Sequence, residues 1–490
     1  MEELPEALYR AEQVRELDRR TIDSGVAGLE LMERAGRAAY RDLRGRWPGA
    51  SRLGVLCGGG NNAGDGYIVA RLARRDGIEA RLVALVDPDR LKGDAAGAVR
   101  GYREAGGSVE QDPAVLDGCD VLVDALLGTG LDRPVEGRFA SAIETLNALD
   151  APVMAVDIPS GVHADTGRVM GVAVRAELTP SFIGLKPGLF TGEGPECAGE
   201  VRFHRLEAPD SAYLGVAPLA WRVAPRLLGE LLPPRPRTAH KGRHGHVLVV
   251  GGELGMGGAA RMAAEAAGRV GAGLVSVATR PEHLAAVLAA RPEVMCRGVE
   301  APDQLDSLLE RAGVVVLGPG IGTGGWGKRL WERSIGFGGP LVLDADGLNL
   351  LAADPHRRDD WILTPHPGEA ARLLDSSAAE VQADRFAAAA ALAARYGGVV
   401  VLKGAGTLVA CGDHIWLCDR GNPGMASGGM GDVLSGVLGG LLAQGLSAAE
   451  AARAGVLAHS LAADRAAADG ERGLLATDLL PFLRALVNPR

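Results

Sequence analysis

Short runs of β-branched and aliphatic residues recur along the chain. Most end in glycine or an acid, and an alanine-rich amphipathic stretch follows. Early in the chain the pattern reads RLGVLCGGGNNAGDGYIVARLARRDG; later it reads GHVLVVGGELGMGGAARMAAEAAGRVGAG. Further strand-like runs are ARLVALV, CDVLVDALL and APVMAVDI in the first part, and LVSVAT, AGVVVLGPG, PLVLDAD, WILTPH and VVVLKG in the second. Strands alternating with helical stretches predict parallel sheets covered by helices. In open sheets of that kind ligands sit beyond the carboxyl ends of the strands, and the glycines and acids of this chain cluster there.

The pattern breaks between Leu206 and His240, where LLPPRPRTAH brings prolines that cannot enter a central strand or a helix interior. A chain of 490 residues is too long for one ordinary core. Domains are therefore expected at 1–212 and 239–490, with a linker over 213–238.

Composition narrows the class. Hydrophobic residues make up 47% and charged ones 23%, as in soluble globular proteins. The net charge of −9 comes with no basic stripe, so no nucleic-acid partner is expected. Anionic ligands must then be held by backbone amides and helix N-termini. No apolar run reaches the ~18 residues of a membrane span, and MEELPEALYR lacks the basic start and apolar core of a signal peptide. A cytoplasmic protein with no membrane partner is the expectation. Cys57, Cys119, Cys197, Cys296, Cys411 and Cys418 form no CxxC pair or Cys/His zinc spacing, and read as buried reduced thiols.

Candidate chemistry begins at GGGNNAGDG, Gly58 to Gly66, directly after a strand. Glycines let backbone approach an anion, and amides at the following helix N-terminus point at it. Asn61, Asn62 and Asp65 also suit an ordinary turn, so a purely structural loop is the plain alternative. DALLGTGLDRP and DIPSG place Asp124 and Asp157 at two further strand ends. Each acid can be a helix cap, part of a cation site, or a base beside a bound phosphate. Asn62, Asp124 and Ser160 are hard oxygen donors that suit an alkali or alkaline-earth ion better than zinc.

These motifs, with FIGLKPGL after them, resemble the YjeF N-terminal domain, an NAD(P)HX epimerase, over roughly residues 1 to 210. The resemblance implies a Rossmann-like three-layer sandwich that interconverts the epimers of hydrated NADH and NADPH with a potassium ion in the site. It assigns substrate binding to Asn61, Asn62, Ala63, Gly64 and Asp65, to Gly128, Thr129, Gly130, Leu131, Asp132, Arg133 and Pro134, and to Asp157, which is also the base. It assigns potassium to Asn62, Asp124 and Ser160. Ala63 stands where the family usually has glycine.

The second candidate is GNPGMASGGMGDVLSG, Gly421 to Gly436. Consecutive glycines leading into a helix near Asp432 present amides to a phosphate in flight. A carboxylate at that place can take a proton from an attacking hydroxyl. The alternative is a glycine-rich helix entry capped by Asp432. VVVLKGAGTLV puts Lys403 at a strand end, a point charge for a phosphate or a plain surface lysine. LTPHPGEAARLL carries His366 and Glu369 after another strand, and LGPGIG and LDADGLNLL are two more strand-end turns.

The glycine run resembles the GxGD anion hole of ribokinase-like enzymes. The ordered set HKGRHGHVLVVGG, GAGLVSVAT, GPGIG, LDADGLNLL, LTPHPGEAARLL, VVLKGAGT and GNPGMASGGMGDVLSG resembles the YjeF C-terminal domain, a nucleotide-dependent NAD(P)HX dehydratase. The match runs from about His240 to the end. It implies a ribokinase-like three-layer sandwich. Lys403, Gly404, Ala405, Gly406, Thr407 and Gly431 would hold ADP or ATP with magnesium. Ala259, Gly320, His366 and Asp432 would meet the hydrated dinucleotide, and Asp432 would be the base. Ser427 stands where the family often has threonine. The whole chain thus reads as an α/β protein of two domains, a homo-oligomeric metabolite-repair enzyme acting on NADHX and NADPHX. The rivals are a kinase of a small hydroxylated metabolite, and a first domain that binds without catalysing.

Overall fold

The computed structural model describes residues 4–489, and the chain divides into two compact units at Trp221 and Arg222. In the first unit a seven-stranded sheet runs, edge to edge, Val109–Glu110, Glu79–Ala84, Arg52–Cys57, Val121–Ala125, Val153–Ala155, Leu178–Phe182, Glu200–His204. Every pairing within it is parallel. Side chains alternate between two apolar layers. Val55 and Cys57 enter the core beneath the helices Gly28–Arg46, Asn61–Arg75 and Gly93–Glu104, while Leu56 enters the core beneath Gly137–Ala148. The chain builds outward from Arg52–Cys57 on one side and then resumes at Val121–Ala125 on the other. The two loops leaving those strands splay apart there, which opens a crevice at the switch point.

In the second unit the strands run His414–Cys418, Thr407–Cys411, Val399–Leu402, Trp361–Leu363, Leu341–Leu343, Val314–Leu317, His246–Val250, Leu274–Thr279, Met295–Gly298. The strands from Val399–Leu402 onward pair in parallel, and the first two form an antiparallel extension. The stretch read as a linker over 213–238 is not a bare tether. It contains the helix Leu227–Leu231, and Arg222 pairs with Asp419 of the second unit.

The helix Met430–Ala443 holds Gly436, Gly439 and Gly440, a composition that works against a helix by roughly 1 kcal/mol per glycine. Packing explains it. A Cβ at Gly436 would run into the Ala263 carbonyl of the helix Gly257–Arg269, and one at Gly439 would strike Val316 of the sheet. The glycine face lets this helix sit flush between its neighbours, and that fixes where its N-terminus points.

The cysteines are all free; Cys57, Cys119, Cys197 and Cys418 are buried and Cys296 and Cys411 partly so. Among the described residues no helix is long and apolar enough to cross a membrane.

Gly436→Ala is expected to lower the stability of the second unit by about 1–3 kcal/mol through overpacking. Gly268→Ala, where nothing lies within 4 Å of the added carbon, should be neutral or slightly stabilising. Urea unfolding midpoints of the two variants check this.

Candidate active sites

In the second unit the strand ends converge on one carboxylate. Asp344 follows Leu341–Leu343 and is 1% exposed. Its Oδ1 accepts from Lys403 Nζ at 2.7 Å and from Thr364 Oγ1 at 2.8 Å, and its Oδ2 accepts from Ser435 Oγ at 2.7 Å. Lys403 and Thr364 each follow a strand of the same sheet, and Ser435 lies on the helix Met430–Ala443. Ala345, next in the chain, has φ 49°, a left-handed conformation rare outside glycine and typical of sites held under strain. Burial pulls the Lys403 ammonium toward neutrality, but the charges of Asp344 and Glu369 outweigh it and hold its pKa above the usual value. Burial likewise pushes Asp344 up, but Lys403 with Ser435 and Thr364 brings it below the usual value. The pair is ionised.

Of the residues read as nucleotide and substrate contacts, Gly431 lies against this pair, and His366 reaches it through Glu369. A Cβ on Gly431 would lie 3.2 Å from Asp344 Oδ2 and 3.3 Å from Lys403 Nζ, so the entry of the helix rests on it. Glu369 Oε2 is 3.7 Å from Lys403 Nζ and accepts from the His366 amide at 2.8 Å, which brings His366 to the same edge. The loop Lys403 to Thr407 is splinted from behind by Arg385, itself 1% exposed, whose guanidinium donates to the carbonyls of Leu402, Lys403 and Gly406. Thr407 Oγ1 closes the loop onto the Gly404 carbonyl at 3.0 Å, and Ala405 is exposed at its tip. A Cβ at Gly320 would lie 3.3 Å from the Ala259 Cβ, so these two face each other across neighbouring loops. Asp346 ties in the Gly320 side by accepting from the Gly322 amide at 3.0 Å. Asp432, in the first turn of its helix, is pushed up to about 7 by burial and then by the like charge of Asp344, with Lys403 offsetting part of it. It is the group here poised to gain and lose a proton near neutrality.

In the first unit a cavity of about 630 Å³ opens at the switch point. Asn61, Asn62, Asp65, the run Gly128 to Arg133, and Asp157 line it. Ala63 and Gly64 are buried, the Ala63 amide already donates to the Gly60 carbonyl, and Pro134 does not line the cavity. Asp157 has φ 67° and accepts from the Phe182 amide at 3.0 Å and from the ammonium of Lys186. Lys186 is fully buried and also donates to Ser181 Oγ and the Phe182 carbonyl. Asp124 and Ser160 are buried and do not line the cavity. Asp124 accepts from the Ser160 amide at 2.7 Å and the Ser160 hydroxyl at 2.6 Å, and burial pushes its carboxyl up to about 6. Asn62 Nδ2 donates to the Leu127 carbonyl at 3.0 Å, while its Oδ1 is buried with no hydrogen-bond partner.

Several residues of these sites escaped the sequence reading. Lys186 lies inside the apolar run FIGLKPGL, and Asp344 reads only as part of a strand-end turn. Asp18, Ser435 and Arg385 carried no local signal at all; each matters through residues distant in sequence.

Two α/β units, each with charged and glycine-rich strand-end loops, one of them entering a helix behind an aspartate near neutrality, define an enzyme of phosphate and nucleotide chemistry. A family model described as NAD(P)H-hydrate dehydratase matches residues 247–484, and one described as YjeF-related protein N-terminus matches 28–188. The chain is 51% identical over 98% of its length to the bifunctional NAD(P)H-hydrate repair enzyme of Coxiella burnetii, covering 99% of that protein. It is 47% identical over 99% of its length to the Escherichia coli enzyme of the same description, covering 95% of it. The second unit is similar to the crystal structure of an ADP/ATP-dependent NAD(P)H-hydrate dehydratase from Bacillus subtilis co-crystallised with ATP and magnesium (TM-score 0.50, 28% identity, 55% of this chain, 97% of that one). It is also similar to a ribokinase-like superfamily protein from Enterococcus faecalis (TM-score 0.51, 28% identity, 55% of this chain, 95% of that one). The chain belongs to the family of bifunctional NAD(P)H-hydrate repair enzymes, with an amino-terminal epimerase domain and a carboxy-terminal dehydratase domain.

The Asp432 carboxyl is expected to titrate near pH 7, and lower in Asp344→Asn, because that change removes a like charge. Carbon-detected NMR of the side-chain carboxyl measures both; titration in the ordinary carboxylate range would contradict the assignment.

Proposed function

We propose that the second unit dehydrates the S form of NADHX and NADPHX at the expense of ADP or ATP, with Asp432 as the base. The observation that carries this is the placement of Asp432. It enters its helix one residue after Gly431, which rests on the Asp344–Lys403 pair, and its pKa is close to neutral. Asp432 takes the proton of the substrate hydroxyl, and the oxygen attacks the terminal phosphorus of the nucleotide. The amides at the glycine-rich turn and the Lys403 charge stabilise the developing negative charge. The phosphorylated oxygen is then a good leaving group. The ring-nitrogen electrons expel it, and loss of a ring proton regenerates NADH or NADPH. Magnesium would arrive on the nucleotide's own phosphates, as ATP and magnesium were co-crystallised with the Bacillus subtilis relative.

The first unit would interconvert the two epimers, with Asp157, paired with the buried Lys186, as base. A potassium site fits the residues present. The buried Asn62 Oδ1 lacks a partner, and Leu127, whose carbonyl takes the Asn62 amide, also bonds Ser160, which in turn donates to the Asp124 carboxylate. These are hard oxygen donors without His or Cys. The ion would hold the three strand-end loops in register around the nicotinamide.

Mixed NADHX epimers supplied with ADP or ATP should yield NADH, followed by its absorbance; accumulation of a stable phosphorylated substrate would instead indicate a small-molecule kinase. Asp432→Asn should lower dehydration by about a hundredfold or more while nucleotide binding persists. Near-normal turnover would remove Asp432 from the mechanism. Asp124→Ala should slow epimerisation and abolish its dependence on potassium, leaving dehydration of the S form unchanged. Consumption of the whole pool as fast as the parent, with or without potassium and after subtracting the spontaneous rate, would refute the ion site.

A further inference from the structure

We propose that the first unit holds the adenosine half of its substrate in a second cavity, beyond the strand Glu79–Ala84, where Arg90 and Arg138 take the 2′-phosphate of NADPHX and Asp87 takes the free ribose hydroxyls of NADHX. The proposal rests on the reading of the first unit as the epimerase. It concerns the end of the dinucleotide remote from the reacting ring.

This second cavity has a volume of about 540 Å³. It is lined by Ala84 and Leu85 at the strand end, by Asp87 and Arg90 of the turn that follows, and by Arg138 and Ser141 of the helix Gly137–Ala148. It adjoins the cavity of Asp157 along both elements. Val86 lines the first cavity, while Leu85 and Asp87 on either side of it line the second. Phe139 lines the first, while Arg138 lines the second, with its guanidinium 5.7 Å from the Phe139 ring centroid. The Leu85 amide donates to the Cys57 carbonyl at 3.0 Å, so the turn of Asp87 leaves the sheet beside the glycine-rich loop. A Cβ on Gly59 of that loop would lie 3.1 Å from Val86.

The two cavities differ in charge. In the first, Asp157 is paired with Lys186, and burial holds Asp65 well above the ordinary carboxylate range. That leaves Asp18, Asp94 and Asp132 against Arg15 and Arg133, with no surplus of positive charge for a phosphate. In the second, Asp87 stands alone against Arg90 and Arg138. Neither guanidinium has an ion pair or a hydrogen bond among the described residues. Asp89 of the same turn is paired with Arg103, 2.6 Å away, and not with Arg90. Two free guanidiniums in one cavity suit a phosphate, which each can meet with a fork of donors. Asp87 Oδ1 accepts from the Asp89 amide at 3.0 Å, and its other oxygen can accept from a ribose hydroxyl.

The sheet order agrees. Val109–Glu110, Glu79–Ala84, Arg52–Cys57, Val121–Ala125 and Val153–Ala155 stand in the order of a dinucleotide-binding sheet. In such sheets the ligand straddles the switch point. An acid beyond the second strand takes the ribose hydroxyls, or an arginine there takes a 2′-phosphate. Here Asp157 follows Val153–Ala155 on one side of the switch point, and Asp87 and Arg90 follow Glu79–Ala84 on the other. The helix Asn61–Arg75 begins between them, where its first amides can meet the diphosphate. With an acid and two arginines together, the cavity accepts both forms of the substrate.

The test is conversion of the purified R epimer to the S epimer by the full-length chain with no nucleotide added, so that dehydration is idle. Epimers are separated by chromatography and the spontaneous rate is subtracted. With Arg90→Ala and Arg138→Ala combined, KM for NADPHX should rise by about tenfold or more, while KM for NADHX moves far less and kcat holds for both. Asp87→Asn keeps the oxygen that accepts from Asp89 but removes the charge, and should shift the KM ratio the other way, toward NADPHX. Adenosine 2′,5′-bisphosphate should compete with NADPHX in the parent, and about tenfold more weakly in the double arginine variant. An unchanged KM ratio in that variant would overturn the proposal. So would an equal rise for both substrates, the signature of arginines that hold only the shared diphosphate, a shift of the ratio in the same direction by Asp87→Asn, or equal inhibition of parent and variant by the bisphosphate. A parent chain that does not epimerise above the spontaneous rate would instead sink the epimerase reading, and this proposal with it.

Discussion

A lysine ammonium clamped onto a buried aspartate carboxylate is the interaction on which the dehydratase site depends. Neither Lys403 nor Asp344 would tolerate its position alone, since an unpaired ion away from water costs several kcal/mol, and breaking such a pair costs about 3–5 kcal/mol. Together, with Thr364 and Ser435 completing the hydrogen bonds of the carboxylate, they pin the ends of separate strands and the helix Met430–Ala443 to one point. The glycine face of the helix Met430–Ala443 serves the same end. It lets the helix lie close enough for Ser435 to reach Asp344, which brings Gly431 over the pair. The altered proton affinity of Asp432 then follows from burial and from the charge of Asp344.

The epimerase unit uses the same device on a different scaffold. Lys186 pairs with Asp157 in its interior, again at a strand end. In each unit a non-glycine residue at or next to the paired aspartate takes a left-handed conformation, Ala345 at φ 49° and Asp157 at φ 67°. Each such residue costs of order 1–3 kcal/mol, and the strain persists because the surrounding hydrogen bonds over-determine it. In the dehydratase unit the ion pair creates two populations of carboxylate. Asp344 is held as an anion by Lys403, and Asp432, buried nearby beside the Asp344 charge, keeps its proton to higher pH.

Much of this is legible in the chain itself. The alternation of strand and helix follows from hydrophobic runs ending in glycine. The strand-end loops stand out because glycine, asparagine and aspartate cluster there for reasons of backbone geometry. Asp432 was legible because it is the acid at a glycine-rich helix entry. What stayed hidden depends on residues far apart in sequence. Lys403 lies 59 residues from Asp344, and Lys186 lies 29 from Asp157. Inside FIGLKPGL a lysine reads as a break in an apolar run, and only the folded sheet shows it buried against an acid. Asp18 sits in a helix rich in surface charge, VRELDRR, where one more acid attracts no notice. The helix at Met430 runs against its own glycine content, and only its packing explains it.

Two units acting in series on one damaged cofactor, each through its own aspartate, should be separable in time. The most direct test is the time course of an equilibrated mixture of NADHX epimers with ADP or ATP and the Asp157→Asn chain. An initial phase at the parent rate, equal to the S fraction, is expected, followed by a second phase no faster than spontaneous epimerisation, where the parent chain consumes the whole pool. A variant that consumed the whole pool at the parent rate would contradict it.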